Sequence, residues 1–170
     1  EAIISFFAGS TVGKVCPISP LLSPEQMAGV LKEVNAKAVI SLRSFPKTDV
    51  AQRVDEALAS SETVKTLIEI DLKRYLKPPL AWLINILRPK LIRSHSAKVV
   101  EFYQFIESEN GDKPSFEVST DDRIAACFHT GGTTGTPKIA QHSIQGMLYQ
   151  GWGLLNSIDW DENDSMLCPL

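Results

Sequence analysis

The sequence predicts an α/β fold in which strands and helices alternate. Two observations carry this. Short apolar runs recur at 38–42 (AVISL), 64–70 (VKTLIEI) and 124–128 (IAACF), each short enough for a strand. The stretches between the first of them show helical spacing and helix-start signals, the pattern of βαβ units around a parallel sheet. Composition agrees: of 170 residues, 44% are hydrophobic and 22% charged, an ordinary globular balance.

Taken in order, EAIISFFAG reads as a helix already under way at Glu1. Residues 10–16 (STVGKVC) read as a short strand, closed by the PISP turn at 17–20. Ser23 is placed to cap a helix, with Pro24 at its first position and Gln26 completing a capping box. Met27, Val30, Leu31 and Val34 follow at the spacing of a core-facing stripe. Residues 38–42 are expected to form a buried strand, Val50, Val54, Ala57 and Leu58 a second amphipathic helix, and 64–70 a second strand. Residues 71–114 break the rhythm. They are expected to form an irregular, helical, basic and apolar insertion, interrupted by Pro78, Pro79 and Pro89. Beyond it, 121–128 (DDRIAACF) predicts a capped turn and a strand, then a glycine-rich loop, a helix over 143–156, the acidic turn DWDEND and a last strand over 165–170. A chain that starts inside a helix and stops on apolar MLCPL is expected to be an internal fragment.

The net charge of −3 argues against broad nucleic-acid binding, which needs a basic surface. Cys16, Cys127 and Cys168 are odd in number and widely spaced, with no C-x-x-C pair. The expectation is reduced, buried thiols in a cytoplasmic setting, without a disulfide or zinc site. No apolar run reaches the roughly 18 residues that span a bilayer.

Two stretches resemble phosphate cradles. The first, Gly9-Ser10-Thr11-Val12-Gly13-Lys14, is one residue short of the nucleotide loop G-x-x-x-x-G-K-(S/T), carries Val15 in place of the magnesium-binding hydroxyl, and precedes a strand where it should follow one. It is set aside. The second, HTGGTTGTPK at 129–138, fails both that spacing and G-x-G-x-x-G, but its chemistry suits a polyphosphate. Gly131, Gly132 and Gly135 let backbone N–H groups approach an anion. Thr130, Thr133, Thr134 and Thr136 add hydroxyl donors, Lys138 adds a full charge, and Pro137 stiffens the loop before it. A plain strand-to-helix turn needs far fewer of these residues, so phosphate binding is the better reading.

T-G-G-T-T-G-T-P-K at 130–138 also resembles the signature loop of the AMP-forming acyl-CoA synthetases and their adenylating relatives, written (S/T)-(S/G)-G-(S/T)-(S/T)-G-x-P-K, and matches it at every position. The segment from Ala8 to Ser41 resembles the upstream part of that family. His142 falls where the family often has a histidine, and Cys168-Pro169-Leu170 resembles the start of a later motif. The resemblance implies an internal piece of the multi-sheet N-terminal AMP-binding domain. It further implies an acid–thiol ligase that attacks the α-phosphate of ATP with a carboxylate, releases pyrophosphate, and passes the acyl group to coenzyme A. Thr130, Gly131, Gly132, Thr133, Thr134, Gly135, Thr136 and Lys138 would hold the phosphates, with Mg²⁺ sharing their charge. No residue would act as nucleophile, because the substrate carboxylate is one, and these 170 residues are expected not to catalyse adenylation by themselves.

His142 is expected near the start of a helix in a structural hydrogen bond, and His95 and His129 carry no functional expectation. The run LAWLINIL at 80–87 lies among Lys73, Arg74, Lys77, Arg88, Lys90, Arg93 and Lys98, and no acid stands between Asp71 and Glu101. A helix packing its apolar face on the domain is favoured there over peripheral contact of 73–98 with anionic lipid. That segment tilts the substrate toward a fatty acid. The rival readings are a peptide-synthetase-type adenylation domain, a luciferase-like ligase, or a non-catalytic anion- or membrane-binding relative.

Overall fold

The computed structural model describes residues 1–108, 121–130, 138–159, 161 and 163–165. Gly131–Thr136, Pro137, Cys168 and all but Ser165 of the expected last strand lie outside the described residues.

Helix α1 runs over Ala2–Val12, and α2 over Pro24–Glu33 is followed by strand β1 at Ala38–Leu42. Helix α3 (Val50–Ala59) and strand β2 (Thr66–Ile70) complete a βαβ unit, since β1 and β2 pair in parallel with Ile40 opposite Ile68. The capping box of α2 forms as read: the Ser23 hydroxyl accepts from the Gln26 amide at 3.3 Å, and the Gln26 side chain accepts from the Ser23 amide at 2.9 Å. Met27, Val30 and Leu31 are buried, as their spacing requires. Leu31, Leu58, Val64 and Leu67 make the core between this helix layer and the sheet. Ile68, Ile70 and Phe102 make a second core on the opposite face. Strand β2 is central and buried from Leu67 to Ile70, which is why its residues are apolar on both faces except for Glu69.

Several expectations need correction. Residues 10–16 are not a strand. The hydroxyls of Ser10 and Thr11 donate back to the Phe7 carbonyl at 3.0 and 2.8 Å, so α1 continues to Val12. Only Val15 pairs, as a single parallel bridge to Ala126. Strand β1 lies at the sheet edge with Ile40 40% exposed, so it is not the buried strand expected. The described part of the 71–114 segment, residues 71–108, is more regular than the irregular insertion expected. It holds a 3-10 turn at Leu72–Tyr75, helix α4 at Leu80–Leu87, strand β3 at Lys98–Glu101 and helix α5 at Phe102–Glu107. Strand β3 joins the sheet parallel to β2, giving the order β1-β2-β3.

The connection into β3 is held by buried carboxylates. Asp55 of α3 accepts from the Ser94 amide at 2.9 Å and stands 3.3 Å from the buried His95 ring. Glu69 takes the Arg93 guanidinium at 2.5 Å. Asp71 receives both terminal contacts of Arg88, at 2.8 and 2.7 Å, and Arg88 also donates to the Ser44 carbonyl at 2.7 Å. By contrast, Ile84 is the only buried residue of α4, so the expected packing of its apolar face on the domain is not what the described residues show. Among the described residues no helix is long and apolar enough to cross a membrane.

A second sheet pairs β4 (Ile124–Thr130) with β5 (Lys138–Ser143), antiparallel, and α6 (Ile144–Ser157) follows directly. The stretch between Thr130 and Lys138 therefore connects two strands of a hairpin, where a strand-to-helix connection was expected. Strand β5 was missed.

Two predictions follow from packing. A Cβ added at Gly9 would stand 2.5 Å from Cγ1 of Val15, where the chain leaving α1 crosses back. Gly9→Ala should therefore lower stability by about 1–3 kcal/mol, and Val15→Ala in the same chain should recover part of the loss in urea melts. At Asp71, burial opposes the charge, but Arg88, the Lys73 amide and Arg43 outweigh it and hold the carboxyl below its usual range. A depressed folded value means a contribution present above about pH 4 and lost as pH falls below it. Asp71→Asn should thus cost about 1–2 kcal/mol at pH 7, discounted for the part of the pair that water screens, and the gap from wild type should narrow in melts near pH 3.

Candidate functional site

The hairpin is anchored at its root. Val15 donates to the Ala125 carbonyl at 2.9 Å and accepts from the Cys127 amide at 2.7 Å, so β4 is bonded on both edges. Arg123, just before β4, donates to the carbonyls of Gly13, Ser10 and Thr11 at 2.7, 2.6 and 2.5 Å. A cation there satisfies the last carbonyls of α1 and the negative end of its dipole. Near the other end of β4, the His129 ring accepts from the Ser19 amide at 3.1 Å, which fixes the PISP turn against the strand. Helix α6 is capped by the Ser143 hydroxyl, accepting from the Gly146 amide at 3.1 Å. Asp122 adds a contact from its carboxylate to the Gln145 amide at 2.9 Å.

Register decides which side chains share a face. Thr130 stands opposite Lys138, Phe128 opposite Ala140, and Ala126 opposite His142. Since side chains alternate along a strand, all six project to one side of the hairpin. Thr130 and Lys138 are both exposed at its loop end, and the Thr130 hydroxyl donates to the Lys138 carbonyl at 3.3 Å. Further down the same face, Phe128 and His142 meet edge to face at 5.1 Å. These two rings, with Met147, Gln150, Gly151 and Leu154 of α6, line a cleft of about 550 Å³. Two residues of strand separate Phe128 from Thr130, roughly 7 Å. The apolar cleft therefore lies next to the hydroxyl and ammonium at the hairpin end.

Of the residues read as phosphate ligands, the structure places Thr130 and Lys138 together, while Gly131, Gly132, Thr133, Thr134, Gly135 and Thr136 lie outside the described residues. His142 is in β5, ahead of the helix, and its ring packs on Phe128 where a hydrogen bond at a helix start was expected. Phe128 and the α6 residues of the cleft were not singled out in the sequence. The signal available was the i, i+3, i+4, i+7 spacing of Met147, Gln150, Gly151 and Leu154, which marks one helix face. A lysine paired across the hairpin end with a threonine supplies a cation and a hydroxyl, the chemistry that suits an anion.

The thiols face the other way. Cys127 is buried on the opposite side of β4 from Phe128. Burial, with Cys127 and Glu33 nearby, pushes the Cys16 thiol up to about 11. Cys16 is then protonated at neutral pH and a poor nucleophile. Iodoacetamide labelling followed by peptide mapping should find Cys16 unmodified at pH 7 in the folded protein, with labelling rising only toward pH 11.

Comparison with known proteins agrees with this architecture. The A domain of carboxylic acid reductase from Segniliparus rugosus, solved in complex with AMP and a co-purified carboxylic acid, superposes with a TM-score of 0.61 at 16% identity, over 95% of this chain and 25% of that one. It shows that the fold is that of the N-terminal domain of adenylate-forming enzymes. A luciferase-like enzyme from the mealworm Zophobas morio is similar at a TM-score of 0.48 and 20% identity, over 77% of this chain and 24% of that one. In sequence, the marinolic acid–CoA ligase of Pseudoalteromonas sp. (strain SANK 73390) is 23% identical over 155 residues, 91% of this chain and 20% of the relative. The chain thus spans about a fifth to a quarter of the length of the proteins it resembles. The sequence model of the AMP-binding enzymes matches residues 1–170, and the chain belongs to that adenylate-forming family.

Proposed function

We propose that this chain supplies the phosphate-binding hairpin and one wall of the acid cleft of an AMP-forming acid–thiol ligase, which activates a fatty acid as its acyl-adenylate and transfers it to coenzyme A. One observation carries the proposal most: Thr130 and Lys138 share a hairpin face with the rings that line the apolar cleft. The coenzyme A acceptor is supported by the ligase relative, and the acid by the reductase domain that held one.

In this reading, ATP lies with its β- and γ-phosphates at the hairpin end. Lys138, the hydroxyls of Thr130, Thr133, Thr134 and Thr136, and the amides of Gly131, Gly132 and Gly135 hold them. The acid enters the cleft with its chain against Phe128, Met147 and Leu154. Its carboxylate oxygen attacks the α-phosphorus, forming one P–O bond as the bond to the β-phosphate breaks. Charge builds on the departing pyrophosphate, where the ammonium of Lys138 would receive it. Magnesium bound with the nucleotide would supply further charge neutralisation beside Lys138 and Thr130. The thiolate of coenzyme A then attacks the acyl carbon, a C–S bond forms, and AMP leaves with the oxygen. His142 serves as a cleft wall.

Carboxylate-dependent exchange of labelled pyrophosphate into ATP tests the first step in the whole enzyme. Lys138→Ala should lower that exchange by on the order of 10²-fold, the loss expected for one charge-assisted contact that strengthens in the transition state. An unchanged rate would remove Lys138 from the site. Leu154→Trp should discriminate against long acids relative to short ones, and equal loss for all acids would place the acyl chain elsewhere.

A further inference from the structure

We infer that α4 and the lysines at its two ends form a docking surface for an anionic lipid bilayer. The helix Leu80–Leu87 has Asn85 as its one polar side chain, and a helix so apolar is normally enclosed. Here Ile84 alone is buried, while Leu80, Trp82, Leu83, Ile86 and Leu87 are 56, 67, 44, 80 and 54% exposed, and Ile92 beyond them is 90% exposed.

Exposure by itself names no partner, since α1 also exposes Ile3, Ile4 and Phe7, and α6 exposes Leu148, Trp152 and Leu155. Charge separates the three. None of the three helices contains a lysine or arginine, but α4 alone has a lysine beyond each end: α1 runs from Glu1 toward Lys14, and α6 runs on to Asp159, Asp161 and Asp164. Around α4 there is no acid between Asp71 and Glu101, in a chain whose net charge is −3. The structure also sorts the cations of this stretch by task. Arg88 is committed to Asp71, Arg93 to Glu69, and Arg74 lies over the Tyr103 ring at 3.1 Å. Lys77 and Lys90 are exposed and form no ion pair among the described residues. Each stands three residues beyond an end of α4, a helix about 12 Å long.

An apolar face bracketed by free ammonium groups, on a helix too short to span, is the arrangement of an element that lies in the membrane interface. Trp82 and Ile86, one turn apart, would enter the headgroup and acyl boundary, while the lysine stems reach outward to lipid phosphates. The ion pairs of Arg88 and Arg93 fix the segment that carries the face, so docking needs no refolding. The inference is independent of the proposed chemistry, although it would place an enzyme of fatty acids where its substrate dissolves.

The test is sedimentation of the full-length enzyme with phosphatidylcholine vesicles, with and without phosphatidylglycerol, at low and high salt. The expected result is binding to the anionic vesicles at low salt, loss of it at high salt, and little binding to pure phosphatidylcholine. Lys77→Gln and Lys90→Gln should each weaken partition about fivefold, while acid activation in detergent stays unchanged. The blue shift of tryptophan emission on vesicle binding should shrink in Trp82→Phe relative to wild type. Absence of binding to anionic vesicles at low salt overturns the proposal, as does binding that ignores both lysines. Unfolding of Ile86→Glu by circular dichroism would show this face covered by another part of the enzyme, and overturns it equally.

Discussion

The antiparallel pairing of β4 with β5 is the constraint on which the candidate site depends. It brings Thr130 opposite Lys138 and so makes the two ends of the T-G-G-T-T-G-T-P-K stretch neighbours. One register also decides that Phe128 and His142 share their face with Thr130 and Lys138. A slip of one residue by either strand would turn its ring to the opposite side and separate the pair. The register is held from outside the hairpin as well. Val15 bonds the far edge of β4, Arg123 ties its root to the end of α1, and His129 ties its tip to Ser19.

The parallel sheet solves a different problem. Its connection from β2 to β3 passes through a stretch rich in cations, and three carboxylates inside the fold select which of them are used. Asp55, Glu69 and Asp71 take Ser94, Arg93 and Arg88 in turn. Removing either partner of such a pair strands a charge in a poorly solvated place, which costs far more than the pair contributes. The pairs therefore act chiefly as specificity: they fix where the 88–97 connection lies and which face α4 presents. Among the lysines that stay unpaired, Lys77 and Lys90 are left beyond the two ends of an apolar helix.

Elements whose signals are local were legible in the sequence. Ser23, Pro24 and Gln26 state the start of α2 within four residues, and apolar spacing states the buried faces of α2 and α3. Strands β1 and β2 announce themselves as β-branched apolar runs between turns. Strands β3 and β5 do not. Lys98–Glu101 is four residues with its first two exposed, and Lys138–Ser143 mixes Lys, Gln, His and Ser, so each is a strand because of the partner it finds. The same limit divides the site. The stretch 130–138 could be read as a phosphate-binding candidate because its chemistry is contiguous, and its match to an adenylating family placed the fold. Phe128 and His142 were not readable as a pair, because only the hairpin brings residues fourteen apart into contact. The α1 boundary failed for a subtler reason: Ser10 and Thr11 look like helix breakers, yet bonding back to the Phe7 carbonyl keeps them helical.

Under the proposed function, this division of labour has a geometric logic. Displacement at the α-phosphorus needs the attacking carboxylate and the leaving pyrophosphate on opposite sides of one atom. A hairpin face with anion donors at its tip and an apolar cleft roughly 7 Å below supplies two ends for that line. The α-phosphate then falls between them without any protein group having to touch the reacting oxygen. Such a surface contributes by position and by fixed charge, not by proton transfer. That is why neither a histidine nor a thiol stands at its centre: His129 is engaged by Ser19, His142 packs as a wall, and Cys16 and Cys127 lie on the other side of the strand. Lys138 is the one described cation that the register carries to the leaving-group end. A permanent charge held there by β-pairing needs no reorganisation when pyrophosphate departs, which is the property an electrostatic catalyst requires.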